Sequence, residues 1–147
     1  MTLFTEIYDL FLVMVRDYKL DKLYDSSTTD FETYLKGFLM KAIPKFTNTK
    51  QPLTYTGTSF DNDLTVKEND ILSTLMCIEW LTKEVNDVTQ FTNSLNDTDF
   101  KRYSESQNLT SKKARYNDLR EIVNQDMVDY DLKTTDWESW RNGSYGV

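Results

Sequence analysis

Four stretches of this chain repeat their apolar residues every three or four positions, a period that suits helices packed side by side and little else. The first runs from about Thr2 to Tyr18, where Phe4, Ile7, Tyr8, Phe11, Met14, Val15 and Tyr18 mark one stripe. Leu3, Leu10, Leu12 and Val13 widen that stripe past a single face, so this helix is expected to touch more than one neighbour, inside the fold or across a subunit boundary. The second starts at Thr29, which stands at capping-box spacing from Glu32. Phe31, Tyr34, Leu35, Phe38, Leu39, Ala42 and Ile43 form its stripe, and Pro44 stops it by removing a backbone donor. The third has the clearest start: Thr65 and Glu68 make another capping box, followed by Ile71, Leu72, Leu75, Met76, Ile78, Trp80, Leu81 and Val85. The fourth covers roughly Gln107 to Tyr130, where Leu109, Tyr116, Leu119, Val123, Met127 and Tyr130 lie close to heptad spacing with Ile122 alongside. Fewer than four heptads make a bundle face rather than a coiled coil.

The connecting segments complete the expected architecture. Residues 45–64 place Leu53, Tyr55 and Phe60 among Lys, Thr, Asn, Pro, Gly and Asp, and Tyr55-Thr56-Gly57-Thr58 is a candidate hairpin tip. A structureless loop of that length is unusual in a compact domain, so the segment is either a functional arm or a short β excursion. Residues 86–105 read as a connection with at most one short helix near Val88–Leu95, and with Asp97 and Asp99 as caps or turn formers. Beyond Asp131 the periodicity dissolves. The expectation is an all-α, four-helix bundle-like domain over 1–130, with a loop or hairpin arm at 45–64 and an extended C-terminal tail at 131–147. Only 4 glycines and 2 prolines interrupt the chain, and strand punctuation at regular short intervals is missing, which argues against a sandwich or barrel.

Composition narrows the chemistry. Without histidine the chain lacks the commonest general base and metal ligand, and every His-dependent triad. A single cysteine, Cys77, makes no internal disulfide and reads as a small buried hydrophobe in a reducing compartment. Asp61-Asn62-Asp63 with Asp70 resembles half of a calcium loop, but the required glycine and terminal glutamate are absent, so these read as solvated loop acids. Glu79 lies in an apolar helix beside Trp80 and is expected to be a boundary residue paired with a nearby base. The glycines form no phosphate-cradling loop. No catalytic residue, cofactor or metal is expected, although acid–base chemistry by two carboxylates remains the enzyme alternative. Residues 3–15 are apolar but carry Glu6 and Asp9, lack a basic flank, and precede Arg16-Asp17, so a mature helix rather than a signal peptide is expected. The sequons at Asn96, Asn108 and Asn142 would matter only on a secretory route.

Charge and aromatic placement speak of partners. With 24 acidic against 17 basic residues the net charge is −7, which disfavours broad binding to phosphate backbones. In the fourth helix Lys112, Lys113 and Arg115 stand near the expected start, while Asp126, Asp129 and Asp131 stand at the end, the reverse of what the helix dipole favours. Solvated lysines are the plain explanation. The sharper one is that Lys112, Lys113 and Arg115 of one copy meet Asp126 and Asp129 of the next in a ring. In the tail, Trp137, Trp140 and Tyr145 sit among polar residues, either folded back over the bundle or poised to order on a partner.

The run Leu64-Thr65-Val66-Lys67-Glu68-Asn69-Asp70-Ile71-Leu72, continuing as Leu75-Met76-Cys77-Ile78-Glu79-Trp80-Leu81, then Asp99-Phe100-Lys101 and Ser104, and then the amphipathic helix to Tyr130, resembles the head–tail connector (neck adaptor) proteins of tailed bacteriophages. The resemblance covers about half the chain and leaves the 45–64 arm unmatched. It implies a helical bundle that forms a homo-oligomeric ring, usually a dodecamer, beneath the portal. Such a ring prolongs the DNA channel and offers a platform to the stopper or tail protein. It further implies a virion neck location after synthesis in the host cytoplasm, and a C-terminal segment reaching the portal through Trp137, Trp140 and Tyr145. The acidic balance suits a channel wall past which DNA slides without specific binding. A helical scaffolding or regulatory module unrelated to virions is the other reading, docking through the first helix or the tail.

Overall fold

The computed structural model describes residues 1–94 and 99–143, with side chains described for 1–90 and 106–143. The chain folds as an all-α bundle with one small hairpin: α1 (Phe4–Met14), α2 (Tyr18–Ser26), α3 (Thr28–Ala42), a 3₁₀ turn (Ile43–Lys45), β1 (Tyr55–Thr56), β2 (Ser59–Phe60), α4 (Val66–Ser94), α5 (Asp99–Thr134) and α6 (Trp137–Arg141).

Helix α4 is the centre. Every residue from Ile71 to Glu79 is buried, whichever way it points, because α1, α3 and α5 all pack on this one helix. A helix enclosed on all sides has no polar stripe. Its polar members are satisfied locally instead: the Ser73 and Thr74 hydroxyls donate back to the Asp70 carbonyl at 2.8 and 3.0 Å. The start of α4 follows the spacing of its capping box, with Thr65 N–H donating to Glu68 Oε2 at 2.7 Å and Glu68 N–H to Thr65 Oγ1 at 3.3 Å.

Both long helices overrun their expected ends. Helix α4 continues to Ser94 and α5 begins at Asp99, so residues 86–105 are mostly helix rather than a connection. Neither glycine nor proline occurs between Thr58 and Asn142, so the backbone meets no intrinsic breaker there. Polar residues carry the extension: Lys83 pairs with Asp87 one turn on at 2.6 Å, and the Thr89 hydroxyl donates to the Val85 carbonyl at 2.7 Å. Leu95 and Asp97 lie outside the described residues.

The first apolar run holds two helices, not one. Val15 takes an extended conformation, and the Asp17 carboxylate accepts from Lys19 N–H at 2.9 Å to start α2. Tyr18 consequently leaves the buried stripe for solvent. The cap of α3 lies two residues before the expected one, with Ser27 Oγ accepting from Asp30 N–H at 3.2 Å, so Thr29 lies inside the helix. Pro44 falls in the 3₁₀ turn after α3, where a missing donor is tolerated.

The 45–64 segment is a packed β excursion. Tyr55 pairs with Phe60 and Thr56 with Ser59 around the two-residue loop Gly57-Thr58, and Gly57 takes φ +65°, the first loop position that favours glycine in II′ hairpins. Residues 2–4 run along this hairpin: Phe60 N–H donates to Thr2 O at 2.8 Å and Phe4 N–H to Thr58 O at 3.0 Å. Phe4 and Phe60 then stack edge to face at 5.0 Å, which fixes α1 to the arm.

Candidate functional site

The buried carboxylates are built into the fold. Glu68, 2% exposed, gathers three elements: it accepts from Tyr130 Oη on α5 at 2.6 Å, from Gln51 Nε2 in the arm at 2.5 Å, and from its own cap residue Thr65. Burial pushes its pKa up, but the hydrogen bonds from Tyr130, Thr65 and Gln51 together outweigh that and hold it below the ordinary carboxylate value. Tyr130 in turn accepts from Lys50 N–H at 3.0 Å. Glu79, 8% exposed, pairs with Lys45 as expected of a boundary residue, and Glu84 pairs with Lys112 at 2.9 Å. Cys77 is buried, and burial lifts its thiol to about 11 despite the opposing Arg115 charge. Among the described residues no group of three or more Cys, Asp or Glu is placed to hold a metal ion. Asp61 accepts from Thr56 Oγ1 at 2.9 Å and Asp63 faces the N-terminal amine, so these acids also have protein partners.

The expected inter-copy charges are divided by the fold. Because α5 starts at Asp99, Lys112, Lys113 and Arg115 stand more than three turns inside it, beyond the reach of the helix dipole. Lys112 is occupied by Glu84, and Asp126 by Lys67 at 2.5 Å. Asp129 accepts from Gln125 Nε2 at 3.0 Å. Lys113, Arg115 and Arg120 point to solvent without an ion-pair partner among the described residues, and the Arg120 guanidinium lies 5.7 Å from the Tyr116 ring.

The aromatic tail forms α6 over Trp137–Arg141. Asp136 caps it by accepting from Glu138 and Ser139 N–H groups, both at 3.1 Å. Trp137 and Trp140 meet edge to face at 6.0 Å while remaining 51% and 56% exposed. Trp137 Nε1 donates to the Leu132 carbonyl at 2.9 Å, which folds α6 against the last turn of α5. Tyr145 lies outside the described residues.

A further surface lies at α1–α3. A groove of about 820 Å³ runs between these helices, its apolar lining supplied by Tyr8, Leu12, Leu20, Tyr24 and Phe31. Asp9, Asp21, Asp25 and Glu32 rim it against one cation, Arg16. Val13, also on the groove, is 85% exposed, and Leu10 and Leu12 are exposed beside it. The Tyr8 hydroxyl, pushed up to about 12 by burial and then by Glu32, registers the negative surroundings. The apolar excess of the first helix, legible in the sequence, is therefore left on the outside. The acidic rim was missed because its members come from three helices whose packing the sequence pattern does not specify.

No family model, curated protein or solved structure matches the chain.

Proposed function

We propose that this protein acts by assembly, as a neck adaptor of a tailed phage: a homo-oligomeric ring below the portal that prolongs the DNA channel and receives the stopper or tail protein. The observation that carries an assembly role is the pair of separate exposed apolar surfaces on one small bundle, Leu10, Leu12 and Val13 on α1 and Trp137 with Trp140 on α6. Large exposed apolar side chains grouped on one surface mark interaction sites more often than chance exposure, and tryptophan is prominent among residues that dominate interface energy. The phage reading itself is supported by the sequence resemblance over residues 64–130. On this reading Trp137, Trp140 and Tyr145 reach the portal, α1 and α5 serve the contacts between copies, and DNA passes without specific binding. No enzymatic role is proposed, since the buried acids Glu68, Glu79 and Glu84 are each engaged in holding helices together.

Negative-stain imaging and mass photometry of the protein alone and with a portal protein test this reading. A closed ring, or a stoichiometric layer on the portal, is the expected result. A strict monomer that ignores the portal sinks it, and leaves the scaffolding-module reading, in which the acidic groove receives a partner's basic segment.

A further inference from the structure

We propose that the acidic groove of α1–α3 receives the basic middle of α5 from a second copy of this chain, so that copies join head to tail. The inference rests on the self-assembly part of the function proposed above and names the surfaces that would carry it.

The charges left over after folding include an acid-rich groove on α1–α3 and a pair of cations on one face of α5. Lys45, Lys50, Lys67, Lys83 and Lys112 are spent on ion pairs within the chain. Asp9, Asp21, Asp25 and Glu32 on one surface, and Lys113 and Arg120 one above the other on α5, have no such pairs among the described residues. The apolar relief is complementary as well. Beside Lys113 lies a notch of about 270 Å³ between α4 and α5, lined by Thr82, Val85 and Tyr116. Val13 and Leu12 project from the groove margin with acids around them, a shape and charge that suit this notch. A knob ringed by carboxylates and a notch lined by Lys113, with Arg120 two turns along the same face of α5, are complementary in charge.

The geometry makes the contact heterologous. The groove belongs to α1–α3 and the cations to α5, two sets of elements joined through α4, so one surface cannot pair with itself. A contact between different surfaces repeats from copy to copy, and closes as a ring when the rotation permits. This replaces the pairing of Lys112 with Asp126 across copies, because both are engaged within their own chain.

The test uses two full-length variants with all substitutions at exposed positions. One carries Asp9→Lys and Asp25→Lys, which turn the groove rim net positive. The other carries Lys113→Glu and Arg120→Glu. Association is followed by sedimentation velocity and mass photometry at low and high salt, with circular dichroism confirming the fold. The expected result is that wild type assembles at low salt and weakens at high salt. Each variant alone associates about tenfold more weakly or worse, because like charges now face each other. Their mixture assembles again, since each variant's groove matches the other's α5. Should a reversal disturb folding, the neutral pairs Asp9→Asn with Asp25→Asn and Lys113→Gln with Arg120→Gln carry the single-variant comparison, each expected to weaken association. Variants that assemble as wild type, or a mixture that stays monomeric while wild type assembles, overturn the surface assignment and leave assembly standing. A wild type that remains monomeric at low salt overturns the surface assignment, and one that also ignores the portal overturns both.

Discussion

At the residue scale the most connected side chain is Glu68, which ties the arm, the start of α4 and the end of α5 into one hydrogen-bonded cluster. Removing the Tyr130 hydroxyl leaves a buried carboxylate oxygen short of a donor, so Tyr130→Phe is expected to cost about 1–3 kcal/mol. Urea unfolding checks this: the midpoint falls while the slope stays as in wild type. The same cluster sets a pH dependence. The folded pKa of Glu68 lies below its unfolded value, so its contribution is present above the ordinary carboxylate range and is lost as pH falls through the folded value. Wild type should therefore lose more stability than Glu68→Gln across that acidic window, as read from denaturant midpoints at a series of pH values. Cys77 gives a second prediction. Burial keeps it a thiol up to about pH 11 and away from reagents. In native buffer a thiol-reactive dye should label it only at the rate of unfolding, and full, immediate labelling would contradict the buried position.

At the element scale α6 is capped by its own Asp136 and held against the last turn of α5, not woven into the bundle. Truncation after Thr135 is therefore expected to leave a folded protein with its melting temperature within a few degrees of wild type. Cutting after Asp131 instead removes the final turn of α5 and the Thr134 hydroxyl bond to the Tyr130 carbonyl, and should cost more. Thermal melts of both truncations distinguish the outcomes. What the sequence discloses about these elements depends on how local their cause is. The α4 cap was legible in Thr65 and Glu68 because four consecutive residues contain the whole device. The α5 stripe of Leu119, Val123 and Tyr130 was legible because period alone reveals a helix that buries one face. The break at Val15–Asp17 was hidden by apolar periodicity that runs through it, and only Asp17 as a cap signals a new start. The overrun of α4 past Val85 carries only a thin stripe at Val88 and Phe91, and its further signal is the lack of any breaker. Of the interaction surfaces, the apolar excess of α1 and the tail tryptophans were legible as residues. The pairing of Lys112 with Glu84 and of Asp126 with Lys67 was not, since each joins residues far apart in sequence.

At the scale of the whole molecule, stability is concentrated on one helix. The amides of Ile71–Glu79 sit where α1, α3 and α5 converge, so they should exchange with solvent only through global unfolding. Hydrogen exchange followed by mass spectrometry checks this: the peptide spanning 71–79 should be the slowest, and peptides from 137–143 should exchange early. Exposed groove and tail surfaces cost the fold little because they draw nothing from that centre.

The enclosure of α4 also sets an order in time. Helices α1 and α3 emerge from the ribosome before the helix they pack on, and about sixty residues separate the end of α1 from the buried run of α4. At roughly 5–20 residues per second the apolar faces of α1 and α3 wait several seconds for a partner. The early half of this chain is thus born sticky, and its need for a chaperone's shelter should end when residues 71–79 clear the exit tunnel.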